Sequence, residues 1–252
     1  MLALEGVTCR YGGIEAVSAI SLTIPQHQLF GIVGPNGAGK TTLLNLISGL
    51  ARPSAGRILL DGERIDRLPA YRIARRGIAR TFQQGRLLRD QSAFEQLIIA
   101  QQRRGVGRLW QELTFSALTR GERALRRQRA EALLDLAQLQ HVAASSVALL
   151  SAGEQRRLEV ARALAQAPAY LLLDEPTAGM AEREIQSFHR LLMEIVQGGV
   201  TVVLVEHDVN LVIAVCDRMA VLQAGRLRVE GLVREILADP AALWGDSGVA
   251  EA

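Results

Sequence analysis

Gly34-Pro35-Asn36-Gly37-Ala38-Gly39-Lys40-Thr41 has the form G-x-x-x-x-G-K-T, the phosphate-binding P-loop pattern. Leu29-Phe30-Gly31-Ile32-Val33 precedes it, short, apolar and partly β-branched, and reads as a buried strand. Thr42-Leu43-Leu44-Asn45-Leu46-Ile47 follows and reads as the start of a helix. Glycines at 34, 37 and 39 let the chain curl so that successive N–H groups point inward. Backed by a helix N-terminus, such a nest holds polyphosphate. The lysine of this motif reaches β/γ-phosphates and its hydroxyl residue ligates Mg²⁺, which assigns those tasks to Lys40 and Thr41. By chance the pattern arises in on the order of one such chain in a hundred, and the flanking strand and helix lower that further. Lys40 is also the only lysine of the chain, every other basic side chain being arginine. A compact ammonium suits the position and a planar guanidinium does not replace it.

A second element lies far along the chain. Tyr170-Leu171-Leu172-Leu173 is an apolar run that ends in Asp174-Glu175-Pro176. Two carboxylates at the C-terminal edge of a buried strand stand where α/β sheets bind ligands. Beside a P-loop, Asp174 is placed to hold Mg²⁺, and Glu175 to orient and activate water. Val200-Thr201-Val202-Val203-Leu204-Val205 repeats the arrangement and ends in Glu206-His207-Asp208, which puts His207 on the same rim as a phosphate contact. His27 reads as a turn residue, and His141 and His189 as surface histidines.

The remainder is compatible with one large domain. At 252 residues and 49% hydrophobic content a core is ample, and with aromatics at 4% aliphatic side chains must fill it. Strands are expected at 2–10, 14–24, 57–62, 77–84, 218–223 and 226–230, and helices at 70–76, 154–166, 182–197, 208–216 and 231–238. The stretch 92–140 reads as helical, with Leu125, Leu133, Leu136, Ala137 and Leu139 on the apolar side of 122–140. Residues 103–129 carry eight arginines against Glu112 and Glu122, most simply a solvated face. The net charge of +3 makes no general case for nucleic acid. The apolar runs are shorter than the roughly 20 residues that span a bilayer. Met1-Leu2-Ala3-Leu4-Glu5 has no signal-peptide pattern. Cys9 and Cys216 give neither a disulfide framework nor metal spacing and read as reduced thiols of a cytosolic protein.

With these pieces in order, the sequence resembles the ATP-binding subunits of ABC transporters over nearly its whole length. Gly34 to Thr41, with Thr42 beside it, resemble the Walker A loop, and Leu171 to Asp174 resemble Walker B with Glu175 at the catalytic glutamate position. Gln83 matches the Q-loop glutamine, Ser151-Ala152-Gly153-Glu154 the signature loop, His207 the switch histidine and Tyr11 the aromatic residue that stacks on adenine. The resemblance implies an α/β P-loop NTPase of ABC type, with a RecA-like core, an antiparallel β subdomain and a helical subdomain at roughly 84–165. It implies one such domain over 1–238 and a tail over 239–252. It implies an ATPase that uses ATP and Mg²⁺, with Lys40, Glu175 and His207 catalytic. Pro35, Asn36 and Ala38 lie along the nucleotide with the loop glycines, and Thr41, Gln83 and Asp174 lie at the metal. Two subunits would close head to tail, so that Ser151, Gly153 and Glu154 act on the nucleotide of the partner.

Partners implied are transmembrane permease subunits, a second ABC ATPase subunit (a heterodimer is favoured over a homodimer) and, indirectly, a periplasmic or extracellular solute-binding protein. Nucleic acid is not among them. The implied location is peripheral, on the cytoplasmic face of the inner membrane. Arg80-Thr81-Phe82-Gln83, Ala178-Gly179-Met180, the extended arginine-rich insert at 103–145 and Ala238-Asp239-Pro240 with Leu243-Trp244-Gly245 are similar to the branched-chain amino-acid importers. Urea and short-chain amide importers share much of this pattern, as does the lipopolysaccharide-export ATPase. One position departs from many relatives: Ala181 stands where the D-loop carries Asp or Asn. Two other classes stay open on sequence alone, a nucleic-acid-associated ABC ATPase and a module that binds nucleotide without turnover. The first lacks its second P-loop or long coiled coil, and the second is opposed by Glu175 and His207.

Overall fold

In the first of two units an antiparallel sheet and a mainly parallel sheet share the strands. The computed structural model describes residues 1–81, 87–101 and 120–238. Of the described residues, 1–80, 169–176 and 192–238 form the first unit, and 81, 87–101, 120–168 and 177–191 form the second. The strands are β1 (Leu2–Tyr11), β2 (Ile14–Ile24), β3 (Leu29–Val33), β4 (Ala55–Leu60), β5 (Glu63–Arg64), β6 (Ile78–Arg80), β7 (Tyr170–Asp174), β8 (Thr201–Glu206), β9 (Arg218–Gln223) and β10 (Arg226–Leu232). One sheet runs β2-β1-β4-β5 and is antiparallel throughout. The other runs β10-β9-β3-β8-β7-β6, parallel except for the β9–β10 hairpin.

Strands β3, β7 and β8, at the middle of the parallel sheet, are buried at every position. That is why their sequences are unbroken apolar runs rather than alternations. Register fixes where they end. Val33 pairs with Glu206, Asp174 with Val205, and Arg80 with Leu172, so β3, β8, β7 and β6 deliver their last residues to one rim. Leu2, Leu4, Ile20, Ile24, Phe30, Ile32, Leu43, Leu172 and Val203 belong to a single core of this unit. Both cysteines are buried, and burial pushes the Cys216 thiol up, so neither is poised to react.

The helices of this unit include α1 (Lys40–Ile47) and α2 (Ala70–Arg75). The second unit is helical. It holds α3 (Ala93–Ala100), α4 (Arg120–Leu136), α5 (Ala152–Leu164) and the start of α6 (Glu182–Gln197). Ala93, Leu97, Ala130, Leu134, Leu158 and Ala161 make its core. Back in the first unit, α7 (Val209–Val215) and α8 (Val233–Ala238) close the described chain.

Two expectations change here. Leu125 is not on the buried side of its helix but 46% exposed. The buried stripe is Ala130, Leu134, Ala137, at i, i+4, i+7, and Leu125 lies on the opposite face of a helix turning every 3.6 residues. His189 is half-buried rather than on the surface, and burial holds its imidazole below the ordinary histidine value. Gln83, residues 103–119 of the arginine-rich insert and the tail from 239 lie outside the described residues.

Candidate nucleotide site

The glycine loop joins β3 to α1. Gly39 sits before the helix at φ 96°, and a side chain there would run into the Ala16 carbonyl, so only glycine fits. No side chain caps α1 and no acid stands in its first turn. Its N-terminal N–H groups, which have no partner within the helix, are therefore left for an anion.

Lys40 opens α1 and is buried, 5% exposed. Its ammonium donates to the carbonyls of Gly34 at 2.7 Å and Pro35 at 3.2 Å. Burial lowers its pKa from the ordinary lysine value, and Glu175, Asp174 and Glu206 oppose the shift.

Thr41 and Asp174, both expected at the metal, lie in hydrogen-bonding contact. The Thr41 hydroxyl donates to Asp174 Oδ1 at 3.3 Å. Asp174 Oδ2 accepts from Arg80 Nη2 at 2.9 Å, with both side chains buried. Among the described residues no cluster of three or more His, Cys, Asp or Glu side chains could hold a metal by itself. Mg²⁺ does not need one, since it is commonly held by one or two carboxylates together with substrate phosphates and water. A hydroxyl and a carboxylate oxygen side by side at the mouth of a phosphate nest suit it.

Glu175 follows β7 at φ 44°, an uncommon conformation for a residue with a side chain, and its N–H donates to the Val205 carbonyl at 2.9 Å. Such a turn costs of order 1–3 kcal/mol and persists where surrounding structure enforces it, typically at functional sites. His207 is exposed beyond the end of β8, with Nδ1 3.7 Å from Glu206 Oε2. Tyr11, at the tip of the β1–β2 hairpin, is 52% exposed, as a stacking surface requires.

The signature-like segment belongs to the second unit. The Ser151 hydroxyl accepts from the Glu154 N–H at 3.2 Å, and Glu154 Oε2 accepts from the Ser151 N–H at 2.8 Å. This capping box starts α5 at Ala152, two residues ahead of the expected start. Burial alone would raise the Glu154 carboxyl, but the bonds from Ser151 and from His141 Nε2, 2.9 Å away, hold it below the usual range. Gly153 is packed against Glu184 on α6, where an added Cβ would meet the carboxyl oxygen. The other oxygen of Glu184 accepts from the Ala181 N–H at 3.0 Å.

Sequence reasoning missed four participants. Glu206 closes a strand as Asp174 does, and its position was the available signal. Arg80 stood in plain view beside the glutamine motif. The Glu184 and His141 contacts had no local signal, because their partners lie on other segments.

Comparison with known proteins places the chain in a family. The ABC transporter family model matches residues 17–178. The high-affinity branched-chain amino acid transport ATP-binding protein BraF of Pseudomonas aeruginosa is 37% identical over 247 residues, 95% of this chain and 94% of that protein. LivG of Escherichia coli, with the same description, is 34% identical over 241 residues, 95% of this chain and 94% of that protein. Among solved structures, the dimeric post-hydrolysis state of the ATP-binding cassette MJ0796 bound to ADP and Pi superposes with a TM-score of 0.76. It is 30% identical, covering 93% of this chain and 99% of that one. A chain that carries this loop, this carboxylate rim and this likeness from end to end belongs to the ABC transporter family, as an ATP-binding and ATP-hydrolysing subunit.

Proposed function

We propose that this ATPase powers the import of branched-chain amino acids through transmembrane permease subunits. The observation that carries the reading is the meeting of Lys40, Thr41, Asp174 and Glu175 at one end of the parallel sheet. The substrate rests on the likeness to BraF and LivG across almost the whole chain, and on the Arg-Thr-Phe-Gln and Ala-Gly-Met segments. We take 1–238 as one ABC ATPase domain with its helical subdomain at roughly 84–165, and 239–252 as a tail.

The chemistry follows from the residues. The α1 N–H groups and those of Gly37 to Gly39 cradle the phosphates, with Pro35, Asn36, Ala38 and Thr42 lining the loop. Lys40 exchanges the Gly34 and Pro35 carbonyls for phosphate oxygens and keeps its charge among three acids. Thr41, Asp174 and Gln83 would hold Mg²⁺, which screens the phosphate charge during transfer. Glu175 orients the attacking water and takes its proton. His207 contacts the γ-phosphate and Tyr11 stacks on adenine. The Ser151 hydroxyl accepts within its cap and still carries a proton to donate. With Gly153 and Glu154 it serves the nucleotide of a second ABC subunit, a related chain in preference to an identical one. No helix among the described residues is long and apolar enough to cross a membrane. We place the protein peripherally, on the cytoplasmic face of the inner membrane, with a solute-binding protein on the far side.

The test is ATP turnover with Mg²⁺, native chain beside Glu175→Gln. Turnover should fall by about 10²–10⁴-fold in the variant, with ATP still bound and a dimer appearing by light scattering. Equal turnover in both would remove Glu175 from the chemistry. For the substrate, the chain is reconstituted with its permeases and binding protein. Leucine, isoleucine or valine should stimulate ATPase activity; stimulation by urea instead would overturn the assignment.

A further inference from the structure

Arg80 is buried at the end of β6 and divides its guanidinium between two elements. Nη2 donates to Asp174 Oδ2 at 2.9 Å on β7. Nη1 donates to Asn45 Oδ1 at 2.6 Å and to Ser48 Oγ at 3.2 Å, both at the C-terminal part of α1. Asn45 and Ser48 lie four and seven residues after Thr41, so all three share one face of the helix. The same face that brings the Thr41 hydroxyl to Asp174 Oδ1 therefore also anchors the group that holds Oδ2.

We propose that Arg80 is a positioning residue for the metal-binding carboxylate: it fixes the Asp174 side chain so that Oδ1 faces Thr41, where the magnesium ion of the nucleotide is held. The inference rests on the proposed metal role of Thr41 and Asp174. A carboxylate with two equivalent oxygens can rotate and present either one. Held at Oδ2 by a charge-assisted bond and tied to α1, Asp174 has one oxygen left for the cation and one direction to offer it. Groups that orient a metal-bound carboxylate typically change metal affinity by 10–100-fold when removed. A planar fork is needed for this task. Lysine would supply the charge to Asp174 but could not reach Asn45 with a second donor in fixed geometry.

The experiment separates metal from nucleotide. ATP affinity of the purified chain is measured by calorimetry in EDTA and again as Mg²⁺ is titrated. Mn²⁺ binding in the presence of ATP is read independently by the loss of its free electron paramagnetic resonance signal. Native chain, Arg80→Met, Arg80→Lys and Asn45→Ala are compared, the last two covering the case in which Arg80→Met does not fold. The expected result is metal affinity about 10–100-fold weaker in Arg80→Met, with a smaller loss in the same direction in Arg80→Lys and Asn45→Ala. Affinity for metal-free ATP should be unchanged in all of them. Native metal affinity in the folded variants would overturn the proposal, as would an equal loss of metal-free ATP binding, which marks a purely structural role. If the native chain itself binds ATP equally well with and without the cation, the metal role of Thr41 and Asp174 fails first, and the Arg80 proposal with it.

Discussion

Asp66 shows how one residue can make stability depend on acid. Its carboxylate is buried and accepts from the Ile58 N–H at 3.0 Å and from Arg64 at 2.9 Å and 3.1 Å. Burial alone would raise its pKa, but the bonds from Arg64 and Ile58 outweigh burial and depress it. With the folded value below the unfolded one, the unfolded chain binds the proton first, so stability rises with pH across that interval. The contribution is complete above about pH 4, near the unfolded aspartate value, and is lost as pH falls through the folded value. Asp66→Asn should cost about 1–2 kcal/mol near neutrality, a modest figure because Arg64 is partly exposed. Urea titrations should then show the gap to the native chain closing below pH 4. A gap constant with pH would mean that the carboxylate charge is not what matters. Residue-scale legibility was uneven. Lys40, Thr41, Asp174 and Glu175 carry their role in a local pattern. Arg80 does not, because its partner Asp174 is 94 positions away and no periodicity joins them.

At the scale of elements, α5 and α6 are linked by one side chain. Glu184 covers the Ala181 N–H with one oxygen and packs on Gly153 with the other. Ala181 has no side-chain oxygen to cap α6, so Glu184, in the first turn, performs that task and favours the helix dipole as well. A methyl group at 153 must displace Glu184, and the bond to Ala181 goes with it. Gly153→Ala should therefore be less costly when Glu184 is already alanine. A double-mutant cycle read by denaturation should give a coupling of about 0.5–3 kcal/mol; additivity would show that the two helices are independent here. Strands β3, β7 and β8 were legible because burial on both faces writes an apolar run into the sequence. Helix α4 is misphased at one position of the expected apolar side. Ala137 and Leu139 are buried and Leu133 and Leu136 half-buried, whereas Leu125 is exposed and its place is taken by Ala130, a small residue that leaves a faint signal in any hydrophobic pattern.

For the whole molecule, nucleotide binding is a stability term. A ligand that binds only the folded chain adds about 2.7 kcal/mol at a concentration of 100 times its Kd. For a chain of this size that corresponds to a rise in Tm of about 5–10 °C. Mg²⁺ with ATP should produce a rise of this order in a thermal scan, and Lys40→Ala should abolish most of it. A full shift in the variant would mean that the nucleotide is held elsewhere. The fold as a whole was legible from the order of a few short motifs. The division into one unit with two sheets and one of helices has no motif of its own: a helical subdomain at roughly 84–165 came only from the family resemblance, and the structure returns residues 169–176 to the first unit after a long excursion through the second.

One further property follows from the buried lysine. A chain with a single ε-amine offers amine-directed reagents one side-chain target, and here that target lies inside the phosphate loop with its nitrogen already engaged by two carbonyls. Mild reductive methylation of the folded protein should leave Lys40 largely unmodified, and ATP should slow its labelling further. The chain thus carries its own footprinting probe, in which one mass shift on one peptide reports occupancy of the loop without any engineered label.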